Sequence, residues 1–121
     1  ESAGEFNYEK GYAAAKRLLD TASPPDAVFC ADDVIAMATM DFARYKLNLR
    51  IPEDLSVIGF DDIPSAAQPN YELTTIRQPF HRLVDRTIDV LLEAINTPGA
   101  SVIEKKVSPS LTWRNSVRKN K

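Results

Sequence analysis

Residues Leu55 to Phe60, Leu-Ser-Val-Ile-Gly-Phe, form a short apolar run that ends abruptly in two carboxylates, Asp61 and Asp62. A proline-led acidic turn, Ile51-Pro52-Glu53-Asp54, introduces it. A continuous apolar run of this length predicts a strand buried on both faces, the pattern of a parallel sheet. Polar groups at the carboxyl end of such a strand stand where open α/β sheets hold their ligands. The segment therefore predicts a fold class and a place for a site.

With 121 residues the chain has room for one domain. Net charge is −2, from 15 Lys+Arg against 17 Asp+Glu, so no basic footprint for nucleic acid is present. The basic cluster at the end, from Arg114, reads as a frayed, solvated tail. One cysteine, Cys30, excludes an internal disulfide and predicts a reducing, cytoplasmic setting. No apolar stretch is long enough to span a membrane and no signal peptide opens the chain. The first residue is Glu1, which points to a fragment or a processed product.

The spacing predicts a helix over 5–19, a buried strand over 27–31, and a helix over 33–47 capped by Asp32. The apolar run over 55–60 is the next strand. A loop holding Pro64 and Pro69 follows, then an extended segment over 73–78 and a helix over 80–96. Leu83, Val84, Ile88, Leu91, Leu92 and Ile95 form the apolar stripe of that last helix. Residues 102–107 alternate with charge and predict a half-exposed strand. Helices alternating with strands argue for α/β architecture with a mainly parallel sheet.

Four stretches carry a family likeness: IPEDLSVIGFDD from Ile51, VFCADDVIAMATM from Val28, LTTIRQPF from Leu73 and SPSLTWRNS from Ser108. In these motifs and their order the chain resembles the effector-binding domain of the lactose/galactose-repressor family of bacterial transcription regulators. The resemblance implies a parallel-sheet three-layer sandwich of the periplasmic-binding-protein-like type. It covers the distal part of the second lobe, with the crossover segment 73–96 leading back toward the first. The first lobe and the helix-turn-helix that binds operator DNA would lie outside the chain. The implied partners are a small-molecule effector, a sugar or nucleoside-like compound, and a second copy in a homodimer. Residues 34–45 and the loop near Gln68 match part of the family's dimer interface; the alternative for the helix is simple core packing, which some of its residues must serve. The stripe of the 80–96 helix, which packs on the first lobe in the family, would here be buried by self-association.

Asp61 matches the family's effector-contacting acid. A carboxylate at a strand end accepts paired hydrogen bonds from vicinal hydroxyls, and the alternative is a turn residue capping Ile63 and Pro64. Asp62 is read as holding the turn through its backbone. Asp32 stands where the family usually carries a ligand-bonding Asn. The exchange removes a donor, which favours an effector rich in hydroxyl or amino donors over a carboxylate or phosphate. Its alternative role is plain helix capping. Phe6 matches an aromatic that packs on the effector's apolar face, or else staples the helix it precedes. Gln78 and Phe80 flank Pro79 in the crossover, where the family lines its cleft; the alternative is a hinge whose side chains only cap or pack.

Catalysis finds little support. The single histidine, His81, opens a helix beside Arg82 and reads as a surface residue. No His/Cys cluster suggests a metal and no Gly-rich loop suggests a phosphate cradle, so neither cofactor nor metal is expected. The adjacent acid pairs Asp32–Asp33 and Asp61–Asp62 point apart on a strand or turn and make no general-acid and general-base pair. Cys30 reads as an inert core thiol. Two readings remain beside the regulator: a periplasmic sugar-binding protein that feeds a transporter, and an α/β enzyme.

Overall fold

In the computed structural model, residues 2–97, 99 and 104–119 are described. Four strands form one sheet in the order β1-β2-β3-β4: β1 (Ala27–Phe29), β2 (Ser56–Phe60), β3 (Thr74–Arg77) and β4 (Ser110–Thr112). The strands β1, β2 and β3 run parallel, with Val28 opposite Val57 and Gly59 opposite Thr75. Helix α1 (Tyr8–Leu19) packs on α2 (Asp33–Leu47), and α2 packs on β2. Parallel pairing needs crossovers, and α2 supplies the one between β1 and β2. The expected α/β class is found.

The core lies between these helices and the sheet. Leu19, Met40, Leu55, Val57 and Leu73 are fully buried there, with Ala36 and Ala43 on α2. Small residues on the helices let the backbones approach: a Cβ on Gly11 of α1 would already lie 3.1 Å from the Ile35 Cα of α2. The helix over 5–19 begins three residues later than its apolar pattern predicts. The Asn7 side chain accepts from the Lys10 amide, and this N-cap sets the start at Tyr8. The helices over 33–47 and 80–96 have the predicted bounds.

Three expectations need correction. The first strand is not buried, for β1 is at the sheet edge and Phe29 is 59% exposed. Residues 104–109 form no strand, and the last strand is instead β4; Val102 and Ile103 lie outside the described residues. The segment from Arg114 is no frayed tail through its described residues. Ser116 is buried between β2 and β3, donating from Oγ to the Val57 carbonyl (2.6 Å) and accepting from the Thr74 amide (2.8 Å). The Asn115 amide donates to the Glu72 carbonyl, and Arg118 bonds Ser56 and Asp26. A strand pair that would otherwise expose ladder groups thus receives them from the end of the chain.

The chain divides into two compact units: Glu1–Arg77 with Leu111–Lys121, and Gln78–Ser110. Within the second, α3 (Phe80–Asn96) has no buried residue; Phe80, Val84, Ile88, Leu91, Leu92 and Ile95 are each at least half exposed. Among the described residues no helix is long and apolar enough to cross a membrane.

Candidate functional site

The carboxyl ends of the parallel strands converge on acidic residues. β1 leads through Cys30 and Ala31 into Asp32 and Asp33, and β2 leads into Asp61 and Asp62. Because β1 and β2 are adjacent and parallel, both acid pairs stand at one edge of the sheet. This edge is where an open parallel sheet presents its loops to a ligand.

Asp61 leaves β2 with φ 110° and Asp62 follows with φ 56°. Two consecutive non-glycine residues at positive φ are strained, and such backbone persists only where surrounding bonds over-determine it. The bonds are visible. The Asp61 amide donates to the Ile76 carbonyl of β3 (2.8 Å), and the Ile63 amide donates to Asp33 Oδ2 (2.9 Å). The turn is therefore pinned from β3 on one side and from the first residue of α2 on the other.

Asp33 is the centre of that pinning. It is fully buried at the start of α2, and its Oδ1 accepts from Thr75 Oγ1 of β3 at 2.5 Å. One carboxylate thus ties the α2 terminus to the β2 turn and to β3. Burial pushes its pKa up, opposed by the bonds from Thr75 and Ile63, and the nearby Asp61 and Asp62 push the same way as burial. Gly59 makes room for it: a Cβ there would lie 2.1 Å from Asp33 Oδ1. The expectation that adjacent acids only point apart overlooks Asp33, because an acid after an N-cap looks like any first-turn charge. Only the fold brings Thr75 and Ile63 to it.

Asp62 departs from its reading as a backbone turn residue. Its side chain is 2% exposed, donors surround it, and it accepts from Arg114 Nη2 at 2.6 Å, from Arg77 Nε, and from Thr112 Oγ1 at 3.3 Å. Burial raises its pKa, but the two guanidiniums outweigh burial and hold the carboxyl below the usual range.

Asp32 caps α2, its Oδ1 accepting from the Val34 and Ile35 amides at 2.7 and 3.2 Å. Phe6 precedes the Asn7 cap and is 75% exposed. It borders an apolar hollow of about 480 Å³ with Leu18, Val28, Phe29 and Ile35. That hollow runs along β1 to Cys30 and Ala31, the residues just before Asp32. Gln78 and Phe80 belong to the second unit, where the Phe80 amide donates to the Gln78 carbonyl and the Phe80 ring is 63% exposed. Cys30 is 5% exposed and burial raises its thiol pKa to about 11, with Thr39 opposing and Asp32 and Asp33 adding to burial. His81 is exposed. No cluster of metal-ligating side chains occurs among the described residues.

A strained, acid-bearing turn stands at the carboxyl edge of a parallel sheet, flanked by a capped crossover helix, the edge at which open α/β folds hold their ligands. The chain belongs to the periplasmic binding protein-like domain family, whose profile matches residues 2–117. Curated relatives are transcriptional regulators. The HTH-type transcriptional repressor PurR of Photorhabdus laumondii is 40% identical over 114 residues, 94% of this chain and 33% of its own length. That of Erwinia tasmaniensis is 37% identical over the same shares. The chain thus spans a third of the length of the curated relatives it matches.

Solved structures agree. The transcriptional regulator CelR in complex with cellobiose has a TM-score of 0.83 and 31% identity, covering 93% of this chain and 34% of that one. A LacI-family regulator from Lactobacillus casei with bound sucrose has a TM-score of 0.72 and 29% identity, covering 92% and 41%. A LacI regulator from a Rhodococcus species has a TM-score of 0.81 and 27% identity, covering 94% and 41%. The resemblance to the lactose/galactose-repressor family is borne out.

Proposed function

We propose that this chain is the distal part of the effector-binding domain of a bacterial transcription regulator. The effector is a small hydroxyl-rich molecule, a sugar in the first instance, and operator DNA is bound by a helix-turn-helix elsewhere in the whole protein. The observation that carries this reading is Asp61, held at the carboxyl end of β2 with φ 110°. Strain maintained at an acid on a ligand-facing edge is the mark of a working residue. The relatives bear on the choice of class: repressors among the curated proteins and sugar-bound regulators among the structures favour a regulator over a transporter's binding protein. The role is binding and not catalysis, and it is exercised in the cytoplasm without a cofactor.

Each assigned residue has a task. Asp61 accepts from vicinal hydroxyls. Asp32 caps α2 and keeps the edge rich in acceptors, which selects against carboxylate and phosphate effectors. Phe6 offers a ring to a sugar's CH face. Gln78 and Phe80, the first residues beyond β3, complete the effector's lining in the whole protein together with the first lobe. The effector acts by shifting a population between two arrangements of the lobes, and it switches only if its affinities for the two differ.

In the whole regulator, titration with cellobiose and sucrose by calorimetry tests the reading. Asp61→Asn is expected to weaken binding of the recognised sugar by about ten- to a hundredfold, the worth of a charged hydrogen bond. Unchanged affinity in the variant would overturn the role of Asp61.

The parent acts as a homodimer, and the chain by itself self-associates through the α3 stripe. Six large side chains on one helix, each at least half exposed, form a patch that a monomer in water seldom retains. Sedimentation of the 121-residue chain is expected to give a mass above the monomer's that falls on dilution. A monomer at all concentrations would refute it.

A further inference from the structure

Asp62 stands at both points where the chain passes between its two units. The first unit ends at Arg77 and resumes at Leu111. Asp62 Oδ2 accepts from Arg77, the last residue before the exit, and from Thr112 Oγ1, the second residue after the return. Its Oδ1 accepts from Arg114, whose Nη1 also donates to the Leu73 carbonyl (2.7 Å). The Arg114 amide donates to Thr74 Oγ1 (3.0 Å), which closes the ring of contacts around the start of β3. One carboxylate, covalently next to Asp61, therefore grips the outgoing and the returning strand together.

Burial of the Asp62 side chain to 2% makes the grip stiff, since an ion pair away from water is neither screened nor easily exchanged for solvent. Arg77, by contrast, is 60% exposed, so the grip is buried at the turn and open at the crossing. We propose that Asp62 is a positioning residue that couples the Asp61 turn to both crossings, so that effector contact at Asp61 is felt by the two segments joining the units. This rests on the effector reading of Asp61 given above. A shift of the Asp61 backbone moves Asp62 with it, and with Asp62 move Arg77, Thr112 and Arg114.

Hydrogen exchange of the full-length regulator, followed by mass spectrometry, tests the coupling. Without ligand, Asp62→Asn is expected to raise exchange about tenfold or more in 74–80 and 110–114 together, while α1 and α2 stay unchanged. Arg77→Gln, at an exposed position that the fold tolerates, is expected to raise exchange in 74–80 alone. A rise spread over α1, α2 and the whole sheet would mean plain structural support and overturn the proposal. A rise confined to one crossing in Asp62→Asn would overturn it as well.

With cellobiose as the probe, the wild type is expected to gain protection at 59–64 and at both crossings. Asp62→Asn is expected to keep protection at 59–64 and lose it at the crossings. Protection at the crossings that survives in Asp62→Asn would refute the coupling. Cellobiose binding that is indifferent to Asp61→Asn would refute the effector reading instead, and the ligand-free pattern then decides the clamp by itself.

Discussion

Asp33→Ala is expected to destabilise the protein by about 3 kcal/mol, because it strands two buried donors at once. Thr75 Oγ1 and the Ile63 amide both donate to this carboxylate, and Asp33 and Thr75 are fully buried. Asp33→Asn keeps one acceptor oxygen and is expected to lose about half as much. Chemical denaturation at constant pH measures both; a loss under about 1 kcal/mol for the alanine would mean water replaces the bonds.

The pH dependence has a definite sign. Burial raises the folded pKa of Asp33, against the pull of Thr75 and Ile63. A carboxyl whose folded pKa lies above its unfolded value contributes stability that is present below the unfolded pKa and is lost as pH rises through the folded one. The cost of Asp33→Asn is therefore expected to be larger in acid than at neutrality.

Gly59→Ala is the second large effect, about 3 kcal/mol or more. The new Cβ would lie 2.1 Å from Asp33 Oδ1 and 2.9 Å from Leu73 Cδ2. Asp33 is held at both oxygens and cannot turn aside, so β2 or α2 must shift. The two substitutions are expected to be strongly non-additive. In Asp33→Ala the worst contact is gone and the far end of the Leu73 side chain is the next to oppose the methyl, so the double variant is expected to lose well under the sum of the singles. Additive losses in denaturation would show that Gly59 serves some other need.

Much of this architecture was legible in the chain. The apolar run ending at Phe60, the Asp32 cap and the helices over 33–47 and 80–96 follow from local pattern, because capping and periodicity act within a few residues. The position of Asp61 at a strand end was legible for the same reason. Asp33 and Asp62 were not. Their partners, Ile63 and Thr75 for Asp33 and Arg77, Thr112 and Arg114 for Asp62, lie 15 to 52 residues away in sequence, and only the assembly of the sheet brings them near.

The same division explains the misread segments. Residues 102–107 read as a strand by their alternation with charge, yet 104–107 form none, because a strand also needs a neighbour to pair with and pattern alone supplies none. Arg114 to Arg118 look like a charged, solvated end, yet Ser116 is drawn in by the free ladder groups of Val57 and Thr74. By itself the sequence determined the helices, the first three strands, the sheet type and the family, all of which rest on near neighbours in the chain and on motifs in fixed order. The tertiary structure decided which acid is buried, which one grips the crossings and which strand lies at the edge, since those depend on long-range pairing and on exclusion of water.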